Sequence, residues 1–262
     1  MAVQPETPNA IIPQPNVLEI HGLTKIYQVP VIHELSLVVR RSEFLCLLGP
    51  NGCGKTTLLR IIAGLERPTK GSIRINGQLL DFHDGHNYNI GVVFQEPRLL
   101  PWKSLLDNVS LCLEARGVSR PTALDTAQYY LRLVGLAGFE HYYPSRVSGG
   151  MQQRAAIARA LAVEPQLLLM DEPFSALDPE TRRIMQDEIV NIWQKTGKTI
   201  IFVTHSIDEA LRIGTRVVVL TARPARVLAQ FELSERPDRA GLQDTLFNML
   251  SEQVRLQRQS TC

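Results

Sequence analysis

The sequence predicts an α/β fold organised around a parallel sheet, and three features of the pattern support this prediction. An apolar run at residues 44–48 leads directly into a glycine-rich loop, and a helical pattern follows at residues 56–64; strand, loop and helix in this order are typical of α/β folds. Later strand-length apolar runs alternate with helical patterns, and these runs lie at residues 167–170, 199–203 and 216–220. Such alternation favours parallel strands joined by crossover helices. The composition, 44% hydrophobic and 21% charged over 262 residues, is ordinary for a globular chain with a sizeable core.

The segments before and after the glycine-rich loop extend this plan. Residues 1–16 carry prolines among polar residues and are predicted to form a flexible tail. Short β-like runs follow at residues 17–20 and 35–39. The dipeptide Asn76-Gly77 predicts the tight turn of a hairpin. An antiparallel β region is therefore expected beside the parallel sheet.

A long helical region separates the early strands from the late ones. Residues 104–162 have a helical pattern with breaks near residues 117–121 and 137–144, which predicts a helical insertion. Another helix is predicted from Pro179 to about residue 195. Near the C-terminus apolar residues recur at helical spacing, namely Leu242, Leu246, Met249, Leu250 and Val254. This last helix either folds onto the body of the protein or contacts a second subunit, and the pattern leaves both possibilities open.

Charge and composition weigh against several classes of protein. The net charge is only +2, so the chain carries no strong field for nucleic acid or an anionic membrane. No apolar run approaches the roughly 18–20 residues of a membrane helix, and no secretory signal is recognisable. The cysteines lack a metal-ligand spacing and are Cys46, Cys53, Cys112 and Cys262. A cytosolic protein with free thiols is therefore expected.

The glycine-rich loop satisfies the phosphate-binding pattern GxxxxGK[ST]. Its residues are Gly49, Pro50, Asn51, Gly52, Cys53, Gly54, Lys55, Thr56 and Thr57. The glycines allow backbone N–H groups to turn toward phosphates, and the following helix adds the positive end of its dipole. Lys55 is expected to reach the β- and γ-phosphates, and the Thr56 hydroxyl to bind Mg²⁺.

Cys53 lies inside this loop, two residues before Lys55. A thiol at a helix N-terminus has a lowered pKa and favours the thiolate. Cys53 is therefore predicted to react readily with maleimide and to be protected by Mg-ATP.

Two carboxylates follow the apolar run at residues 167–170. Asp171 is expected at the strand end, where it can hold Mg²⁺ through water opposite Thr56. Glu172 is the next residue and points the other way, so it can polarise a water molecule for attack on the γ-phosphate. The alternative, that two acids merely end a buried strand, becomes weak beside the phosphate loop.

Residues 147–154 read Val-Ser-Gly-Gly-Met-Gln-Gln-Arg and resemble the signature motif of ABC ATPases. Val147 and Met151 depart from the usual leucine and glutamine of that motif. Further elements of the family stand in its usual order, and they are Tyr27, Gln95, Asp178 and His205. The resemblance covers about residues 17–230. It implies a P-loop NTPase core of the ABC ATPase type, with an antiparallel β subdomain and a helical insertion subdomain.

The resemblance also implies the roles of individual residues. It implies ATP and Mg²⁺ as ligands, with an adenine stacked on Tyr27. The residues implied in catalysis are Glu172, His205, Gln95 and Lys55. The metal site is implied to consist of Thr56, Gln95 and Asp171, the last through water. Asp178 is implied to contribute to nucleotide binding, and the partner subunit's ATP is implied to be bound by Ser148, Gly149 and Gly150.

The implied organisation has three parts and several partners. Residues 1–16 are a tail, residues 17–235 the ABC ATPase domain with its helical subdomain at about 100–163, and residues 236–262 a C-terminal helical extension. The implied partners are a second ATPase subunit, identical or paralogous, transmembrane permease subunits, and an external solute-binding protein that acts through the permease. Nucleic acid is not among them. The chain is expected at the cytoplasmic face of the plasma membrane as a peripheral protein.

The segment after Gln95 resembles one subgroup of the family more specifically. Residues 96–109, with Pro101 and Trp102, are similar to the ATPases of importers for nitrate, sulfonates and taurine. An exposed Trp102 would suit docking onto the permease, and the alternative is a partly buried core tryptophan.

Three classes of ATPase outside transport share these motifs. Chromosome-maintenance ATPases carry a long coiled coil between phosphate loop and signature, whereas only 93 residues (148 − 55) separate Lys55 from Ser148 here. Translation-associated ATPases fuse two cassettes in one chain, whereas this chain has one phosphate loop and one signature. The ATPase of iron–sulfur cluster assembly has no membrane subunit, and the importer-like segment with Pro101 and Trp102 weighs against it.

Overall fold

The computed structural model describes residues 15–82, 89–175, 177–233 and 239–259 of the chain. The predicted tail at residues 1–16 lies almost entirely outside this part. The strands are β1 (Asn16–Ile26), β2 (Pro30–Arg40), β3 (Phe44–Leu48), β4 (Lys70–Ile75), β5 (Gln78–Leu79), β6 (Ile90–Val93), β7 (Leu167–Asp171), β8 (Thr199–Thr204), β9 (Arg216–Leu220) and β10 (Val227–Glu232). The α-helices are α1 (Lys55–Ile62), α2 (Leu105–Glu114), α3 (Arg120–Leu133), α4 (Gly149–Ala162), α5 (Pro179–Thr196), α6 (Ile207–Ile213) and α7 (Arg239–Gln259).

The larger sheet confirms the predicted parallel α/β core. Its strand order is β10-β9-β3-β8-β7-β6. All neighbouring pairs from β9 to β6 are parallel, and β10 is antiparallel to β9. Strands β3, β7, β8 and β9 are buried along their whole length, as expected where both faces of a parallel sheet are covered. Because parallel strands end at one edge, the residues that follow β3, β6, β7 and β8 meet there.

Alternate residues of β3 belong to two different hydrophobic cores. Cys46 and Leu48 pack with the helices on one face of the sheet. Leu45 and Leu47 pack on the other face with α1 and the strands of the smaller sheet. This period of two follows from strand geometry, and it leaves the glycine-rich loop between two packed layers.

The smaller sheet is antiparallel and has the order β2-β1-β4-β5. Strands β4 and β5 pair through Ile75 and Gln78, so Asn76 and Gly77 form the two-residue turn that the sequence predicted. Both turn residues have positive φ, 49° and 77°, as this hairpin geometry requires.

Helices α2, α3 and α4 follow β6 and precede β7 in the sequence, and they pack against one another. This confirms the predicted helical insertion. Ser104 is the N-cap of helix α2, and its hydroxyl accepts a hydrogen bond from the Asp107 N–H at 3.0 Å, as is common for a serine at this position. Helix α3 has Pro121 in its first turn, where the missing N–H is harmless. The division into residues 1–16, 17–235 and 236–262 stays a prediction.

Helix α7 folds onto the body of the protein. Its side chains Leu242 and Leu246 are buried in the core that contains α6. Met249 and Leu250 pack against the same core. Among the described helices none combines the length and the apolar character needed to cross a membrane.

Candidate nucleotide-binding site

The loop between β3 and α1 depends on its glycines. Gly52 and Gly54 have φ values of 76° and 123°, in a region that residues with a side chain rarely adopt. A Cβ atom on Gly54 would also lie 3.1 Å from Val31. The loop can therefore lie close to the smaller sheet and still turn its backbone toward the helix N-terminus.

Lys55 places its charge at the centre of this loop. The residue is only 5% exposed. Its Nζ donates hydrogen bonds to the carbonyl oxygens of Gly49 at 2.8 Å and Pro50 at 3.1 Å. The Glu172 carboxylate lies 3.8 Å from the same nitrogen. A buried ammonium held in this way can attract a phosphate group that enters the loop.

Thr56 and Asp171 bring two oxygen donors together. Asp171 ends β7 and is buried. Burial raises the pKa of its carboxyl group, while the hydrogen bond with Thr56 opposes the increase. A hydroxyl beside a carboxylate is a donor set that suits Mg²⁺, so these residues fit the metal that the resemblance implied. In the described part of the chain no group of three or more His, Cys, Asp or Glu side chains is placed to hold a metal.

Glu172 has an unusual backbone conformation. Its φ is 43°, which is uncommon for a residue with a side chain. Its N–H donates to the Val203 carbonyl at 3.0 Å, which ties it to β8. Its carboxylate lies 2.9 Å from the Nδ1 of His205. The turn after β7 thus directs this carboxylate toward both Lys55 and His205.

Ser175 connects this carboxylate residue to Gln95. The Nε2 of Gln95 donates to the Ser175 hydroxyl at 3.2 Å. That hydroxyl donates in turn to the Glu172 carbonyl at 3.0 Å. Gln95 stands just after β6, so the chain of hydrogen bonds links two neighbouring strand ends. The sequence pattern gave no signal for this contact.

The structure brings nine of the predicted residues into one cavity of about 430 Å³, whereas Gly49, Pro50, Cys53 and Asp171 are not among the residues that line it. The cavity is lined by Tyr27, Val31, Asn51, Gly52, Gly54, Lys55, Thr56, Thr57, Gln95, Glu172 and Arg223. His205 is not part of this lining but contacts Glu172. Val31 and Arg223 were not predicted as site residues.

Tyr27 presents an exposed ring at this cavity. Its hydroxyl is hydrogen-bonded to Glu66, and the Nζ of Lys25 lies 4.7 Å from the ring centroid. Burial, followed by the hydrogen bond to Glu66, raises the pKa of Tyr27. The ring is therefore held in place and can offer a face to an adenine.

The remaining predicted residues lie outside this lining. Ser148 caps α4, and its hydroxyl accepts from the Met151 N–H at 3.3 Å. Gly149 has open space where a Cβ would stand. Asp178 caps α5 by accepting from the Thr181 N–H at 3.0 Å, which holds the pKa of its carboxyl group below the usual value. Its predicted role in nucleotide binding stays a prediction.

Two side chains of α4 hold the segment after β6, and sequence reasoning missed both. Gln153 donates to the Phe94 carbonyl at 3.1 Å. Arg159 donates to the carbonyls of Pro97 and Arg98, each at 2.8 Å. Burial lowers the pKa of Arg159, which is still a cation at neutral pH. These partners are far apart in sequence, so no local pattern indicates them.

The prediction that Cys53 has a lowered pKa is wrong. The side chain is fully buried in the core beneath the loop. Burial raises its pKa, and the nearby Lys55 offsets this only in part. Desolvation of the thiolate outweighs the helix N-terminus that the sequence suggested.

Maleimide is therefore expected to modify Cys53 of the folded protein slowly, because the reagent attacks an accessible thiolate. Peptide mass spectrometry after a timed reaction would measure modification at this residue. The same reaction in denaturant is the control and should label Cys53 rapidly. Fast, ATP-sensitive labelling of the folded chain would contradict this expectation.

Comparison with known proteins agrees with this geometry. Residues 32–175 match the family described as "ABC transporter". An uncharacterised ABC transporter ATP-binding protein of Methanocaldococcus jannaschii is 45% identical in an alignment that covers 90% of this chain and 92% of that protein. The taurine import ATP-binding protein of Rhizobium johnstonii is 48% identical over 78% of this chain and 77% of its own length. The nitrate import ATP-binding protein of Synechocystis is 40% identical over 83% of this chain and 82% of its own length.

Solved structures show the same architecture. A dimeric ATP-binding cassette in a post-hydrolysis state, bound to ADP and Pi, superposes with a TM-score of 0.74 at 32% identity. The match covers 82% of this chain and 98% of that one. With the family match over residues 32–175 and the phosphate loop, the two carboxylates and the signature in place, the chain belongs to the ABC transporter family as an ATP-binding, ATP-hydrolysing subunit.

Proposed function

We propose that this protein is the ATPase subunit of an importer for a small anionic or zwitterionic solute such as nitrate, a sulfonate or taurine. The observation that carries the catalytic part is the position of the Glu172 carboxylate, 2.9 Å from His205 Nδ1 and 3.8 Å from Lys55 Nζ. The names of the nitrate and taurine relatives support the solute class. The similarity of residues 96–109 to that group supports it as well.

Each side chain has a distinct part in hydrolysis. Lys55 and the N–H groups of the loop bind the phosphates of ATP. Thr56 and Asp171 would hold Mg²⁺, with Gln95 nearby, and the ion when bound supplies positive charge to the phosphate oxygens. Glu172 accepts a proton from the attacking water. His205 orients that carboxylate through the 2.9 Å contact.

The site needs a second subunit to be complete. Ser148, Gly149 and Gly150 are absent from the lining of the cavity that contains Lys55, and the described surface around Gly149 is open. A head-to-tail pair related by a twofold axis would place these residues of one chain over the ATP of the other. The dimeric state of the cassette with ADP and Pi supports this arrangement.

Mixing two inactive variants tests this arrangement. Ser148→Arg should block the partner's ATP, and Lys55→Ala should disable the chain's own phosphate loop. A mixed pair has one intact composite site, so a 1:1 mixture should recover up to roughly a quarter of wild-type hydrolysis if the pairs form at random. Each variant alone, measured at the same total concentration, is the control. Mixed pairs that form but remain inactive would contradict the two-chain site.

Trp102 supports a permease partner. The side chain is 69% exposed, so the alternative of a core tryptophan is wrong. The Asn108 side chain accepts from the Leu100 N–H at 2.7 Å and donates to the Lys103 carbonyl at 3.1 Å. A large aromatic side chain on a segment held this firmly is typical of an interface anchor.

Trp102→Ala is expected to leave folding and basal hydrolysis nearly unchanged and to weaken assembly with the permease by about tenfold or more. Copurification with tagged permease subunits would measure assembly. Tyr129→Ala, which removes another exposed aromatic side chain of the helical region, is the matched control. Full assembly of Trp102→Ala would remove this docking role.

The same proposal places the chain at the cytoplasmic face of the plasma membrane, bound through the permease. An external solute-binding protein would act on the permease without touching this chain. The net charge of +2 agrees with a partner other than nucleic acid.

A further inference from the structure

A large groove lies between α7 and the phosphate loop. Its volume is about 1010 Å³. The floor is formed by the loop residues Gly49, Pro50 and Asn51 together with His205. The wall is the C-terminal half of α7. Neither the phosphate-binding role of the loop nor the catalytic role of His205 accounts for this wall.

Helix α7 is fixed against the loop by specific contacts. The Nε2 of Gln257 donates to the Asn51 carbonyl at 3.0 Å. The side-chain oxygen of the buried Gln253 accepts from the Ala222 N–H at 3.0 Å. Leu246 is buried immediately before the wall begins. The wall and the floor therefore form one surface and keep their spacing.

The wall exposes apolar side chains that the fold itself does not cover. Phe247 is 62% exposed and Val254 is 37% exposed, and both line the groove. An exposed aromatic and an exposed aliphatic side chain beside the polar side chains of Asn51 and His205 resemble the apolar centre and polar surroundings of a protein interface. A volume of about 1010 Å³ accommodates a segment of chain.

The groove is continuous with the surface that the ATP-bound pair closes. Asn51 lines both the groove and the nucleotide cavity. His205 borders the groove and contacts Glu172. A subunit that covers the ATP at Lys55 would therefore lie beside this groove. In a twofold pair, the same surface of both copies would be engaged.

We infer that this groove docks a second copy of the same chain, so that α7 extends the interface formed on ATP binding. The inference rests on the head-to-tail pairing of the proposed function. It adds a contact made by the C-terminal extension, which lies outside both the phosphate loop and the signature motif. The apolar wall is buried only in the pair, so α7 stabilises the closed state.

Val254→Glu in the Glu172→Gln background tests this inference. The charge should weaken the Mg-ATP-dependent dimer by about tenfold or more, because a carboxylate on the apolar wall would lose its hydration when the interface closes. Analytical ultracentrifugation would give the dimer dissociation constant. Leu256→Glu is the matched control, because Leu256 is also exposed (45%) on α7 but is not among the residues lining the groove. It should change the constant by less than about threefold, as expected for a substitution outside the contact.

Phe247→Glu is the second variant and should act like Val254→Glu, so the test does not depend on one substitution folding correctly. Affinity of the monomer for ATP and the circular dichroism spectrum should stay unchanged in both. A dimer as tight as the parent in both variants overturns the inference. A tighter dimer also overturns it, since α7 would then obstruct the partner. If the Glu172→Gln parent itself stays monomeric with Mg-ATP, the proposed pairing fails, and the docking role of α7 fails with it.

Discussion

Glu172→Gln is expected to lower the rate of ATP hydrolysis by about 10²–10⁴-fold, the usual contribution of a general base. The substitution keeps the size of the side chain and its ability to contact His205, but it removes the basic carboxylate. Lys55, Thr56 and Asp171 are untouched, so binding of Mg-ATP should survive. Loss of a negative charge that faces the phosphates should also favour the closed pair. The variant is therefore expected to accumulate as a dimer with ATP bound.

Phosphate release would measure turnover, and light scattering would measure the dimer. Glu34→Gln is the control, because it makes the same chemical change at a side chain that is 74% exposed; it should leave turnover unchanged. Adding Ser148→Arg to Glu172→Gln should abolish the dimer, since a bulky side chain would occupy the partner's phosphate site. Near-normal turnover in Glu172→Gln would refute the assignment of the base.

Lys55→Ala is expected to abolish high-affinity ATP binding and, with it, hydrolysis. The change removes the buried cation that donates hydrogen bonds to two carbonyl oxygens of the loop, those of Gly49 and Pro50. Phosphate recognition would then depend on N–H groups and the helix N-terminus alone. Arginine is a poor substitute, because its planar fork cannot replace a compact ammonium group in this space.

Calorimetric titration with ATP would measure this loss. Lys55→Met keeps most of the buried side-chain volume and should lose binding equally, which separates the effect of charge from that of packing. Lys70→Ala removes an exposed cation and should bind ATP like the wild type. Strong ATP binding by Lys55→Met would show that the charge is not needed.

The sequence predicted the fold well where its elements are marked by continuous apolar runs or by glycine. Strand β9 has the predicted bounds, and the turn at Asn76 and Gly77 is where the dipeptide indicated. Strand β10 was not predicted, because its buried and exposed residues follow a weak alternation at the edge of the sheet. Edge strands carry less hydrophobic pattern than central ones.

Motifs predicted the residues of the nucleotide-binding site only where the position of a residue in the chain also determines its surroundings in the fold. Lys55, Glu172 and His205 meet because parallel strands end at one edge. The error at Cys53 arose because a loop position indicates a helix N-terminus but not the depth of burial. The contacts of Ser175, Gln153 and Arg159 depend on tertiary packing across long sequence separations, which a single sequence does not reveal.

Helix α4 connects the two surfaces for which we propose contacts with other subunits. Its 14 residues form a rod about 21 Å long at 1.5 Å per residue. Ser148 stands at one end, whereas Gln153 and Arg159, further along the helix, donate hydrogen bonds to backbone carbonyls of residues 94–98, in the segment that leads to Trp102. Because a helix of this length is stiff, it moves as a rigid body, and a displacement at one end also displaces the residues that contact the rest of the helix. If a partner subunit closes over ATP and displaces Ser148, the segment proposed to dock onto the permease would move with α4. Removing the hydrogen bonds of Arg159 to this segment would then uncouple ATP hydrolysis from that movement.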